Sequence, residues 1–152
     1  MRTSAIASAA LAGTSAMTAF SYAVSANKDR QFREPVILHD LASKALPVLS
    51  HRNSTADGWV LHYTAGLAFC IAYDRVWRKT TIKPTLLSGL VLGGLSGLLG
   101  VAVWKVVLRV HPDPPPLDRK RFFGHLLPAH VIFGMIAAAA YRMTMNKIKN
   151  SD

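Results

Sequence analysis

Pro84-Thr85-Leu86-Leu87-Ser88-Gly89-Leu90-Val91-Leu92-Gly93-Gly94-Leu95-Ser96-Gly97-Leu98-Leu99-Gly100-Val101-Ala102-Val103-Trp104 contains no Lys, Arg, Asp or Glu. A helix needs about 20 residues to cross a hydrocarbon core, and this run has that length. Three further stretches lack the same four residue types: Ala5 to Ala26, Gly58 to Tyr73 and Phe122 to Tyr141. The shortest reaches spanning length when Asp74 and Trp77 are counted at its interfacial end. A soluble chain scatters charges along its helices to solvate their outer faces; here the charges gather between the apolar runs. These runs predict an all-α, integral membrane four-helix bundle. It forms a single domain over residues 1–152, with spans at about 3–25, 58–77, 84–108 and 122–143.

The chain carries 18 Lys and Arg against 8 Asp and Glu, a net charge of +10. Such a balance can signal nucleic-acid binding. In this chain the cations flank apolar spans, where each meets anionic lipid headgroups with a gain of about 1 kcal/mol. The expected partners are therefore membrane lipids with anionic headgroups, together with a membrane protein or a second copy, and not nucleic acid. Cys70 is the only cysteine and lies in the second span, which excludes an intramolecular disulfide or a cysteine metal cluster.

Met1-Arg2 before an Ala-rich run also has the form of a signal peptide, with Val24-Ser25-Ala26 resembling a cleavage site. The length of the run favours a retained helix, as do its rows of small residues: Ala5, Ala9, Gly13 and Ser8, Ala12, Ala16. Such rows let helix backbones approach closely inside a bundle. In the first connection, Glu34-Pro35 opens a pattern in which Val36, Ile37, Leu41, Ala45, Val48 and Leu49 recur at helical spacing. It predicts a short amphipathic helix on the membrane surface or capping the bundle, ended or bent by Pro47. Asn53, Ser54, Asp57 and Gly58 predict a turn. In the third span Gly89, Gly93 and Gly97 clear one stripe for a neighbouring helix, and span 1, with Gly13, is the expected neighbour. His111-Pro112-Asp113-Pro114-Pro115-Pro116 predicts a stiff extended turn, and Pro128 a kink in span 4.

Spans 2 and 4 share a pattern. His62-Tyr63-Thr64-Ala65-Gly66 leads to Ala72-Tyr73, and His130-Val131-Ile132-Phe133-Gly134 leads to Ala140-Tyr141, with the same intervals. At about 100° per residue, His, Gly and Tyr fall on one face of each helix. The pattern predicts two parallel two-helix repeats, about 1–79 and 80–152, with His62 and His130 at similar depth.

Gly13-Thr14 with Met17-Thr18, the two His-x-x-x-Gly helices and the glycine-rich third span together resemble the YagU-like group of small four-helix bacterial inner-membrane proteins. The resemblance implies a multi-pass protein of the bacterial inner membrane and supplies no activity to carry over. An even number of spans puts both termini on one side. The turn holding Asp74, Arg75, Arg78, Lys79 and Lys83, with the basic tail, makes that side cytoplasmic by the positive-inside rule.

The candidate intramembrane site or set of helix contacts is His62, Gly66, Tyr73, His125, His130, Gly134 and Tyr141. The expected reading of the histidines is hydrogen bonding between helices. The alternative is a haem or divalent metal held by His62 and His130, since neutral imidazole is a good ligand; otherwise no cofactor is expected. A proton-driven transporter generally needs an intramembrane carboxylate, and every Asp and Glu here lies in a connection, at a helix end or in a tail. His39, Asp40, His51, His111 and Asp113 read as solvated loop groups. No HExxH, GxSxG or P-loop pattern occurs, so the expectation is no enzyme but a structural or accessory protein that binds a partner. A passive channel or a binder of small solutes or lipid is the further alternative.

Overall fold

The computed structural model describes residues 2–28, 32–45 and 55–151. Among these there are five helices and no strand: α1 (Arg2–Lys28), α2 (Glu34–Ala45), α3 (Ala56–Lys79), α4 (Leu86–Val110) and α5 (Arg119–Lys149). The four long helices cover the four apolar runs, and α2 begins at Glu34 as the Glu-Pro start predicts. Pro47, Val48, Leu49, His51, Asn53 and Ser54 lie outside the described residues. Asp57 and Gly58 belong to the first turn of α3 and not to a loop.

Local chemistry sets the helix starts. Before α4, the Thr85 hydroxyl accepts from the Ser88 backbone N–H at 3.2 Å, and the Ser88 hydroxyl accepts from the Thr85 N–H at 3.0 Å. This reciprocal pair satisfies donors that a helix start would otherwise leave unmet. The Asp118 carboxylate accepts from the Arg121 N–H at 3.2 Å and starts α5, which runs on through Pro128.

Pair contacts order the helices. Thr18–His62 and Ser15–Tyr63 set α1 antiparallel to α3. Ser21–His125 and Thr144–Ser8 set α1 antiparallel to α5. The α3 and α5 helices run parallel: Asp74 accepts from Tyr141, and Phe69 packs against Phe133. The most extensive contacts join α4 with α5 and α1 with α5, and α1 also packs on α3. Weakly hydrophobic α1 buries the side that carries Ala5, Ala9 and Gly13 against its neighbours. Ala7, Leu11, Ser15 and Ala19 stay exposed, so it is not enclosed all round.

The glycine seam of α4 faces α5 and not α1, correcting the expectation for Gly89, Gly93 and Gly97. A Cβ on Gly93 would strike the His130 carbonyl and lie 3.0 Å from Val131 Cα. One on Gly134 would strike the Gly89 carbonyl and lie 2.7 Å from Gly93 Cα. Two glycine faces meet here, so the backbones themselves touch. Gly13 does its work in α1 against α5, where a Cβ would come 2.9 Å from the Phe133 carbonyl.

Helix α2 closes the end where α1 and α4 finish and α3 and α5 start. Ile37 and Leu41 join Phe32, Leu108, Phe122 and Leu126 in one buried cluster. The Pro-rich connection, non-helical as expected, docks on α2: His111 Nε2 donates to the Leu41 carbonyl at 3.0 Å, and Lys44 pairs with Asp113 at 2.7 Å.

Two helices, α4 and α5, are long and apolar enough to cross a membrane. They differ in surroundings: 22% of the apolar window of α4 is buried, against 50% for α5. Leu87, Leu98, Val106 and Val110 on α4 are exposed, Leu87 to 71%.

Candidate functional site

Helices α3 and α4 are not packed along their lengths. Between them lies a pocket of about 520 Å³, floored by α1 and α5 and lined by Thr14, Met17, Phe69, Trp104 and Phe133 among others. Its lips are apolar and open: Ala65, Ala68 and Ala72 on α3 are exposed, as are Leu99 and Val103 on α4. One end is shut where the Tyr73 and Ser96 hydroxyls bond across the gap at 2.7 Å. Glu34, at the start of α2, lies at the other.

The pocket gathers three of the sequence-derived candidates, His62, Gly66 and His130. Gly66 lets Thr14 of α1 press against α3, because a Cβ there would strike the Thr14 hydroxyl. His130 donates from Nδ1 to the Leu126 carbonyl one turn earlier, at 2.8 Å. Its Nε2 is then the acceptor, set beside Gly100, whose missing side chain makes room for the ring. His62 contacts the Thr18 hydroxyl through Nε2 at 3.0 Å. Thr18 gives its own proton to the Thr14 carbonyl at 2.7 Å. His62 Nε2 must therefore be the donor, which puts the lone pair of the neutral ring on Nδ1. Among the described residues no three of His, Cys, Asp and Glu converge as a metal site.

The remaining candidates do not line the pocket, although Tyr73 closes its end. His125 is stacked between Phe20 and Phe32, with centroids at 5.2 and 4.7 Å, and lines a separate depression of about 610 Å³ with Arg121 and Pro128. Gly134 serves the α4–α5 crossing. Tyr73 and Tyr141 sit at the far end of the bundle around Trp77, which is buried between them. Asp74 is also buried there, accepting from Tyr141 at 2.6 Å and from Arg78 Nε at 2.8 Å.

Sequence reasoning passed over Glu34. It is only 2% exposed, because α2 folds back over the bundle and carries it inward. Its Oε1 accepts from the Ser21 hydroxyl at 2.9 Å. Ser21 in turn receives from His125 Nε2 at 2.9 Å, while its Oε2 neighbour on Glu34 has no hydrogen-bond partner. Burial pushes the carboxyl from 4.5 up to about 7, against hydrogen bonds from its own backbone N–H and from Ser21. The one signal in the sequence was an acid placed directly before an apolar helix.

Comparisons with protein families, with curated proteins and with solved structures find no match for this chain.

Proposed function

We propose that the chain is a multi-pass membrane protein of the accessory, non-catalytic kind, whose bundle holds a lipid-like molecule in the pocket between α3 and α4. The observation that carries this reading is the pocket's form: an apolar chamber with polar groups at few points, opening sideways between two helices whose lips are apolar. Pockets of about 300–1,000 Å³ with that balance take whole small molecules, and a sideways mouth admits them from the hydrocarbon of a bilayer.

The membrane setting draws on the outer surface. The core helix of a soluble protein would also be long and apolar, but it would be mostly buried. Instead α4 turns most of its apolar window outward. Exposed Leu11, Leu67 and Met143 extend that surface to α1, α3 and α5. In this reading all four long helices cross the membrane, α1 being retained and sheltered on one side by its neighbours. The parallel α3–α5 pair reflects two copies of a helix pair, and the YagU-like resemblance and an inner-membrane location with cytoplasmic termini belong to the same reading.

The test is gentle purification followed by mass spectrometry of the small molecules that co-purify. A lipid-like compound retained by the wild type and lost in Val103→Trp, which plugs the mouth, is the expected result. A protein free of bound lipid, or one whose bound lipid is indifferent to the plug, contradicts it. A Soret band abolished by His62→Ala would replace it with a haem protein.

A further inference from the structure

The pocket has one polar end, and the hydrogen bonding there is incomplete. Glu34 is buried, lines the pocket and keeps Oε2 without a partner. Its other oxygen is held by Ser21, which is held by His125. One carboxyl oxygen thus has its partner within the protein, while the other, on a residue that lines the cavity, has none. Thr14, another lining residue, also keeps its buried Oγ1 without a partner, where it presses on Gly66. An unmet buried polar atom is unfavourable unless something supplies the missing bond.

We propose that the pocket binds a single-chain aliphatic alcohol, its hydroxyl on Glu34 Oε2 and its chain running between α3 and α4 toward the Tyr73–Ser96 bond. The inference rests on the reading of the pocket given above and adds the class of ligand. The α3 part of the lining runs from His62 to Ala72, which at 1.5 Å per residue gives about 15 Å, the reach of a dodecyl chain.

The chemistry of Oε2 selects the head. Oε1 accepts from Ser21 in either protonation state, so the carboxyl proton comes and goes on Oε2. A hydroxyl can accept from the acid and donate to the carboxylate. An ammonium has only donors: it fits the ionised form alone and creates a charge pair in an apolar chamber, where desolvation opposes it. A fatty acid would set two carboxyls against each other.

The test uses the full chain in phosphatidylcholine nanodiscs with tritiated dodecanol, empty nanodiscs being subtracted. Saturable binding is expected, with dodecane, dodecylamine and dodecanoate each competing about tenfold less well or worse than unlabelled dodecanol. Glu34→Leu should weaken binding by about tenfold or more, and Glu34→Gln, which keeps a donor and an acceptor, by under about threefold. Val103→Trp should abolish saturable binding while leaving the Glu34 surroundings untouched, so the proposal stays testable if Glu34→Leu does not fold. Dodecanol affinity should hold steady between about pH 6 and pH 8. Equal competition by dodecane overturns the alcohol and leaves the apolar pocket. Stronger competition by the amine or the acid overturns the choice of head group, and no saturable binding of any of the four overturns the pocket reading as well.

Discussion

Glu34 and Asp74 are the two buried acids among the described residues, and their surroundings give them opposite weaknesses. Asp74 is held on both oxygens, by Tyr141 and Arg78. Tyr141→Phe leaves one carboxylate oxygen without its donor, and a loss of about 1–3 kcal/mol is expected. A thermal midpoint unchanged in Tyr141→Phe would show that the bond contributes nothing. Glu34 has a carboxyl at about 7 in the folded chain against 4.5 ordinarily, so the folded state holds its proton more tightly. That contribution is fully present below about pH 4.5 and is lost as pH rises through about 7. The thermal midpoint of the wild type should fall across this window, and Glu34→Gln should remove the fall; profiles of identical slope would contradict it. Neither acid was legible as a buried group. Each lies near a helix end in the sequence, and only the return of α2 and the parallel seating of α5 on α3 enclose them. His62 and His130, by contrast, show their inward face through the Gly and Tyr that follow at helical intervals.

At the scale of the element, the four apolar runs and the Glu-Pro start were enough to place all five helices, because long charge-free stretches leave little else to choose. The partner of the glycine stripe was not. Small residues on both α1 and α5 can receive a smooth helix, and the stripe alone does not distinguish them. What decides is that Gly134 is itself bare, so the α5 backbone at His130 and Gly134 drops into the groove left by Gly89 and Gly93. The seam can be tested with neighbouring glycines. A Cβ on Gly94 meets nothing within 4 Å, while one on Gly93 meets the α5 backbone. Gly94→Ala should be neutral or slightly stabilising, whereas Gly93→Ala should lower the thermal midpoint clearly, since an α-carbon and a carbonyl cannot swing aside as a flexible side chain does. Equal effects at the two positions would contradict the α4–α5 crossing.

At the scale of the whole molecule, polarity is arranged by ends and sides. One end holds α2, the Pro-rich connection, His39, His111 and His125; the other holds both termini and the basic turn between α3 and α4. The sides are apolar, and the gap between α3 and α4 opens through them. A strictly twofold pair of repeats would seat α4 on α3 as α1 sits on α5; the pocket occupies the place where that contact is missing. The His-x-x-x-Gly pattern places His62, Gly66 and His130 on the pocket lining but gives no sign that α3 and α4 stand apart. The central claim is that the four long helices cross a bilayer. Cys70 is the only native cysteine, so a Cys70→Ala background allows single cysteines at Thr3, Thr81, Pro115 and Ser151 to be labelled with a membrane-impermeant maleimide in sealed vesicles of either orientation. Labelling of Thr3→Cys, Thr81→Cys and Ser151→Cys from one side and Pro115→Cys only from the other is the predicted result. Labelling of all four from the same side would contradict it.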